Sequence, residues 1–134
     1  MSFEDQLDRL GLTIPNPAKP AGSYKPCLIV DNIAYISGQG PLLEDGTFAK
    51  GIIGKDVDIE TGQKHAQRCG LAILSALKNE VGDLNKVEQL IKITGFVNCT
   101  SDFTQQPLVI NGCLLYTSDA ADEGLGVDLG GRRI

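Results

Sequence analysis

Residues 27–38, CLIVDNIAYISG, contain two short apolar runs separated by a single Asp-Asn pair. The β-branched and aromatic residues in these runs favour strands. Asp31 and Asn32 tolerate the positive φ angles that a two-residue hairpin turn requires. The stretch therefore predicts an antiparallel hairpin with strands at 27–30 and 33–37. A second turn signal, Asp45-Gly46, lies between Leu42-Leu43 and Thr47-Phe48 and extends the predicted antiparallel sheet.

On the C-terminal side of the hairpin, the apolar spacing changes to that of a helix. Asp58 is a suitable N-cap, and Gly82 supplies a left-handed stop after Val81. The predicted apolar stripe of this helix is Ala66, Cys69, Ile73, Ala76 and Leu77. Residues 87–98 alternate as a long strand, with Ile91, Ile93 and Val97 on one face. A second helix begins after Ser101 and Asp102, with Pro107 in its first turn.

The N-terminal region is predicted to be peripheral. Ser2 caps a short surface helix that ends at Gly11, and the proline-rich stretch 13–26 forms an extended arm. The element order is then strand, strand, strand, helix, strand and helix start. This order predicts an α+β fold in which helices pack on one face of an antiparallel sheet.

Composition and net charge argue against several classes of function. The chain has 134 residues, 42% of them hydrophobic, which is typical of one globular domain. A net charge of −5 without a basic stripe disfavours nucleic acid as a partner. The sequence has no apolar run long enough for a membrane span and no basic-then-apolar leader, so we expect a cytoplasmic protein that acts on a small metabolite.

Cysteine spacing argues against a metal site. The four cysteines have no close pairing, and one histidine, His65, cannot complete a zinc set with them; the cysteines are Cys27, Cys69, Cys99 and Cys113. We expect free thiols that behave as small core hydrophobes, and a solvated His65.

Four short motifs, each in the corresponding order of elements, carry a resemblance to a known family. They are GSY at 22–24, YISGQGP at 35–41, TGFV at 94–97 and SDF at 101–103. Together they resemble the RidA/YjgF/L-PSP family, and the later motifs are most similar to a longer subgroup with an N-terminal helix. The resemblance implies a chorismate-mutase-like fold and a homotrimer with pockets between neighbouring subunits.

The resemblance also implies a chemistry and a site. The family hydrolyses reactive 2-imino and enamine acids to 2-keto acids and ammonia, without a metal or organic cofactor. The implied substrate-binding residues are Tyr24, which closes the pocket, and Ser37 with Gly38, where backbone groups approach the ligand. Two plainer interpretations stay open. Tyr24 packs as an anchor of the arm, or Ser37-Gly38 is a strand end with a bulge glycine.

The resemblance stops after Gly112. Residues 113–123, CLLYTSDAADE, can be back-translated into a transposase-end sequencing adapter, and 126–134, GVDLGGRRI, into the reverse complement of a flow-cell primer. We therefore expect 1–112 to be an incomplete domain with its C-terminal strands missing, and 113–134 to be translated adapter. The alternative is a genuine Gly/Asp-rich tail.

The predicted truncation affects catalysis directly. The family's carboxylate-binding arginine lies in the segment that is missing, and Arg132 and Arg133 are no substitute because they belong to the adapter-like text. No catalytic residue is therefore assigned to this chain, which we expect to be inactive. For the parent protein, deamination is the first hypothesis and a noncatalytic trimeric metabolite-binding or protein-shielding module the second. Ribonuclease activity ranks last, because neither an acid/base pair nor a basic groove is present.

Overall fold

A computed structural model describes residues 3–17 and 22–121. Three helices, two strands and one 3-10 turn make up this part of the chain: α1 (Phe3–Arg9), β1 (Cys27–Val30), β2 (Ile33–Ile36), α2 (Ile59–Val81), the turn Leu84–Lys86 and α3 (Gln106–Ala121). The predicted cap Ser2, part of the proline-rich arm, and Arg132 and Arg133 lie outside the described residues.

The hairpin confirms the prediction from residues 27–38. β1 and β2 pair antiparallel, with Cys27 opposite Ile36 and Val30 opposite Ile33. Asp31 and Asn32 have φ angles of 50° and 66°, which the right-handed twist of the two strands requires of this turn. Successive residues alternate between the two faces, so Cys27 lies on the buried face and Leu28 on the exposed one.

The second predicted turn is present as a smaller hairpin. Leu42 forms an isolated antiparallel bridge with Phe48, and Gly46 has a φ of 88°. The Asp45 carboxylate accepts hydrogen bonds from the Thr47 hydroxyl at 2.6 Å and the Thr47 amide at 2.9 Å, and these bonds lower the pKa of Asp45. Arg68 of α2 donates through Nε to the Leu42 carbonyl at 2.6 Å, which attaches this hairpin to the helix.

The boundaries of α2 follow the predicted caps. The Thr61 amide donates to Asp58 Oδ1 at 2.7 Å, and the amide of Gly82, at φ 83°, donates to the Lys78 carbonyl. The apolar stripe was only partly right. Ala66, Ala76 and Leu77 are buried as predicted, while Cys69 and Ile73 are half-buried and Leu71 and Leu74 lie deeper. The helix is covered on two sides, so a single stripe could not describe it.

The first of these sides packs on the sheet. The core cluster there consists of Leu7, Cys27, Leu71, Leu74, Leu77 and Leu84. It includes α1, which corrects the prediction of a surface helix: Leu7 is only 2% exposed, although Leu10 points to solvent. Because α2 contacts both strands, it lies across one face of the hairpin, as the sequence predicted.

The second side of α2 packs against α3. Ile53, Ala66, Val109 and Cys113 form this cluster. Pro107 lies in the first turn of α3, as predicted, and the helix continues past Gly112 to Ala121. Burial of Cys113 and Leu114 follows from their apolar character whatever their origin, so the adapter interpretation of 113–134 stays a prediction.

The predicted strand at 87–98 was wrong. Alternating burial is present from Ile93 onward, and Ile93 and Val97 contact the second cluster, but Ile91 is exposed. Asn98 and Thr100 bond to the backbone of Ile53, yet no continuous ladder forms along the segment. A strand needs a neighbouring strand to accept its hydrogen bonds, and no strand follows β2 within residues 37–121.

The packing of α3 on α2 predicts a large effect of a small substitution. A Cβ at Gly112 would overlap the backbone carbonyl oxygen of Gln63, while the Gln63 side chain donates to the Leu108 carbonyl at 2.8 Å. Gly112→Ala should therefore lower the free energy of unfolding by about 1–3 kcal/mol, more than the roughly 0.5–1 kcal/mol that alanine gains as a helix former. Urea denaturation measures the difference.

Gly38→Ala is the matched control, because a Cβ there would meet nothing within 4 Å and Gly38 does not adopt a positive φ. We expect its unfolding free energy to equal that of the unchanged chain. A Gly112→Ala variant as stable as the Gly38→Ala variant would contradict the close approach of the two helices.

Candidate functional site

The junction between the N-terminal arm and the end of β2 brings the predicted site segments together. Ser37 donates twice to the arm: its amide to the Pro26 carbonyl at 2.9 Å, and its hydroxyl to the Lys25 carbonyl at 2.7 Å. These bonds extend the hairpin pairing by one step beyond β2. They place Ser37 and Gly38 beside the residue that follows Tyr24, so the three predicted residues lie on two adjoining segments.

The hydrogen bonds determine what Ser37 can offer a ligand. Both of its donors are used within the chain, and Gln39 Nε2 donates to the Ser37 carbonyl at 3.3 Å. The lone pairs of the hydroxyl oxygen remain as acceptors. The Ser37 hydroxyl oxygen can therefore accept a hydrogen bond from a ligand N–H group or from a water molecule.

Gly38 adds a backbone N–H donor beside Ser37, together with open space around its Cα. Its amide has no hydrogen-bond partner among residues 3–17 and 22–121. A side chain at this position would meet nothing, and the backbone is not in the left-handed region that favours glycine. Backbone strain is therefore not the reason for glycine here. This excludes the bulge type that needs a left-handed glycine, while the interpretation of Ser37-Gly38 as a strand end stays open. The open space beside a backbone N–H suits a small anionic ligand.

Tyr24 is a partly exposed ring and not a buried anchor. It is 46% exposed, and its ring lies over Gly22, where a Cβ would sit 3.5 Å from Cδ1. A ring with this exposure has part of its surface open to solvent, so it is not a fully buried anchor, and its pocket-closing role stays a prediction.

One ion pair lies next to these residues. Lys25 Nζ is 3.0 Å from Glu80 Oε1 in the last turn of α2. Beneath it, burial raises the pKa of the Cys27 thiol, and the negative charge of Glu80 raises it further. Sequence analysis singled out neither Lys25 nor Gln39. The only signal was their position inside the GSY-containing arm and the SGQ motif.

The sequence predicted free thiols that act as small core hydrophobes and a solvated His65; Cys27 and Cys113 are buried, whereas Cys69, Cys99 and His65 are half-buried. All four cysteines are free thiols, and burial raises the pKa of Cys69 to about 11 and of Cys113 to about 12, which leaves both unreactive near neutral pH. His65 is half-buried on α2. Within 3–17 and 22–121, no three His, Cys, Asp or Glu side chains are grouped as a metal site.

A second depression lies near the start of α3. It is an open hollow of about 300 Å³ lined by Gly54, Thr100, Asp102, Phe103, Thr104 and Gln105. It contains Asp102 and Phe103 of the SDF motif but none of the predicted site residues. The motif therefore shapes a separate surface. No helix in the described part of the chain has the length and apolarity needed to cross a membrane.

Comparison with known proteins identifies the family. A sequence model described as YjgF/chorismate mutase-like, putative endoribonuclease, matches residues 4–124. The chain belongs to this family. A curated YjgF-family relative, Protein TCP17 of Trypanosoma cruzi, is 34% identical over 106 residues, which are 79% of this chain and 66% of that protein. The chain thus spans about two thirds of this relative's length.

Two solved structures are similar to the chain. A protein of unknown function from Agrobacterium tumefaciens is 37% identical, with a TM-score of 0.79. The match covers 90% of this chain and 73% of the Agrobacterium protein. A putative endoribonuclease from Shewanella oneidensis is 25% identical, with a TM-score of 0.89. The match covers 96% of this chain and 85% of the Shewanella protein. The YjgF/chorismate-mutase-like α+β fold is therefore confirmed, with an antiparallel sheet and helices on one face.

Proposed function

We propose that the full-length protein is a RidA-like hydrolytic deaminase of 2-imino and enamine acids. The observation that carries the proposal is the pairing of an acceptor, the Ser37 hydroxyl oxygen, with a donor, the Gly38 amide, on adjacent residues at an open surface; within residues 3–17 and 22–121 this amide has no partner. A 2-imino acid presents the complementary pair: an N–H donor and a carboxylate acceptor on neighbouring carbons.

The reaction needs little from the protein beyond binding and orientation. Water adds to the imine carbon, the nitrogen takes up a proton, and the C–N bond breaks to release ammonia and a 2-keto acid. In our proposal the Gly38 amide holds a carboxylate oxygen and Ser37 accepts from the imine N–H or the attacking water. Tyr24 covers the ligand and excludes bulk solvent. The family's arginine, on a later strand, would hold the carboxylate bidentately.

The intact protein is proposed to be a homotrimer in the cytoplasm. Support comes from the hairpin face opposite α2, where Leu28, Val30, Ile33 and Tyr35 are all large, uncharged and exposed. An apolar face of this kind on a soluble protein favours association. A noncatalytic trimeric module of the same fold is the alternative. The complete gene distinguishes them, because the enzyme requires the arginine on the next core strand.

Ribonuclease activity is the weaker candidate for this chain. It is named in the family description and for the Shewanella neighbour. However, the chain carries a net charge of −5 and one histidine, which disfavours both phosphate binding and acid/base cleavage of RNA. An RNA-cleavage assay beside the deaminase assay tests the choice, and cleavage without ammonia release would overturn our proposal.

Tyr24→Ala tests the proposed function in a version of the protein that carries its native C-terminus. We expect kcat/KM for ammonia release from 2-aminoacrylate to fall about tenfold or more. The free energy of unfolding should change by less than about 1 kcal/mol because the ring is half-exposed. Tyr24→Phe is the matched control and should keep most activity. Parallel losses of folding and activity would favour the anchor role instead.

A further inference from the structure

Gln39 holds the peptide unit that links Ser37 to Gly38. Its side-chain Nε2 donates to the Ser37 carbonyl oxygen at 3.3 Å. That carbonyl and the Gly38 amide belong to one trans peptide, which is planar and carries its C=O and N–H on opposite sides. A hydrogen bond that fixes the carbonyl therefore also fixes the direction of the Gly38 N–H, which is the donor of the proposed site.

The other hydrogen bonds of Ser37 do not fix this peptide. The Ser37 amide and hydroxyl donate to the Pro26 and Lys25 carbonyls, and these bonds hold the N-terminal side of the residue. The Gly38 amide, on the C-terminal side, has no partner in the part of the chain that the structure describes. Within that part, the hydrogen bond from Gln39 is the one that holds the Ser37–Gly38 peptide.

Glycine at position 38 makes a reversal of this peptide easy. A half turn of the peptide plane carries φ of the following residue toward positive values, which glycine adopts about as readily as negative ones. A Cβ at Gly38 would meet nothing within 4 Å, so close packing does not oppose the half turn either. The half turn would put a carbonyl oxygen in place of the N–H, and this oxygen would repel a carboxylate.

We propose that Gln39 is a positioning residue that keeps the Ser37–Gly38 peptide in the orientation that binds the carboxylate of a 2-imino or 2-oxo acid. This inference rests on the proposed function, in which the Gly38 amide donates to that carboxylate. Gln39 contacts the peptide and acts on the ligand through the direction of one N–H. Its hydrogen bond also polarises this N–H, because hydrogen bonds connected through one peptide strengthen one another.

Loss of the Gln39 hydrogen bond should weaken binding without slowing the bound state. A ligand that binds one of two orientations pulls the peptide back to it, so the apparent affinity falls in proportion to the fraction left in the competent orientation. KM therefore rises while kcat stays nearly constant. A purely structural role gives the opposite pattern, because loss of folded protein lowers the apparent kcat and leaves KM unchanged.

Two substitutions at position 39 separate the loss of the donor from the addition of a charge. Gln39→Met removes the donor and keeps the residue neutral. Gln39→Glu supplies a carboxylate, which only accepts hydrogen bonds and therefore favours the reversed peptide. Gln106→Glu is the matched control, because Gln106 is also half-buried and its Nε2 also donates to a backbone carbonyl, that of Phe103 at 2.8 Å.

The test uses the protein with its native C-terminus. Ammonia release from 2-aminoacrylate gives kcat and KM. Titration of protein labelled with nitrogen-15 glycine gives a Kd for sodium pyruvate from the Gly38 amide signal, which is assigned by its disappearance in Gly38→Ala. We expect KM and this Kd to rise about threefold in Gln39→Met and about tenfold in Gln39→Glu, the range for one hydrogen bond. The kcat should change less than about twofold, and Gln106→Glu should match the unchanged protein.

The outcomes separate this inference from the proposed function. If pyruvate binds at Gly38 with one Kd in all variants, Gln39 does not position the peptide, and the proposed site still stands. If only Gln39→Glu weakens binding, charge repulsion explains the loss and the inference fails; it also fails if kcat falls while KM does not change. If the pyruvate Kd follows the expected series but no ammonia is released, the inference stands and the deaminase proposal fails. If pyruvate does not shift the Gly38 amide, both fail.

Discussion

The 134-residue chain is expected to release no ammonia from 2-aminoacrylate above the uncatalysed rate. The carboxylate-binding arginine that the family uses is predicted to lie in the missing segment, and its loss alone would cost about 2–4 kcal/mol of transition-state binding. The described sheet is also small. It has two strands, while Phe96 is 80% exposed on a segment that lacks a neighbouring strand. Such a surface favours aggregation over an ordered trimer.

The measurement compares the chain with a version in which residues 113–134 are replaced by the sequence read from the genomic 3′ end of the gene. Both are purified, their masses in solution are determined by light scattering, and ammonia release is followed with the same substrate. The native-ended version should form a trimer and release ammonia. A stable, equally active trimer from the chain as it stands would show that the tail is not foreign and that the missing arginine is not essential.

Leu71→Ala is expected to lower the free energy of unfolding by about 2–5 kcal/mol, a large part of the stability of a small domain. Leu71 is 2% exposed and lies in the cluster that joins α2 to β1, α1 and the 3-10 turn. Removing three side-chain carbons there leaves a cavity that four surrounding elements cannot all close. Denaturant unfolding followed by circular dichroism gives the free energy.

Leu10→Ala is the control for this loss. Leu10 is exposed at the end of α1, so this substitution should lower the free energy of unfolding by less than about 0.5 kcal/mol. Similar unfolding free energies for the two variants would mean that the cluster around Leu71 is not the main core.

Local signals in the chain determined much of the fold. Asp31-Asn32, Asp58, Gly82 and Pro107 each act through the backbone of their own segment, so the turn and the helix boundaries could be predicted from these residues alone. The SGQ motif also located Ser37 and Gly38 correctly at the end of β2. Such features depend on neighbours within about four residues along the chain.

Other features depend on contacts between segments that are distant along the chain, which local sequence patterns do not predict. Residues 87–98 alternate like a strand, but a strand exists only where another strand accepts its hydrogen bonds, and none lies there. Leu7 lies in the core because α1 packs against α3 and the 3-10 turn, and a side chain at position 112 is excluded because Gly112 lies against the backbone of Gln63. The arm adjoins β2 because Ser37 donates two hydrogen bonds to it, and the Lys25 side chain is paired because α2 supplies Glu80. The sequence alone therefore determined the local turns, caps and family motifs of this protein, while its contacts between distant segments were decided by tertiary packing.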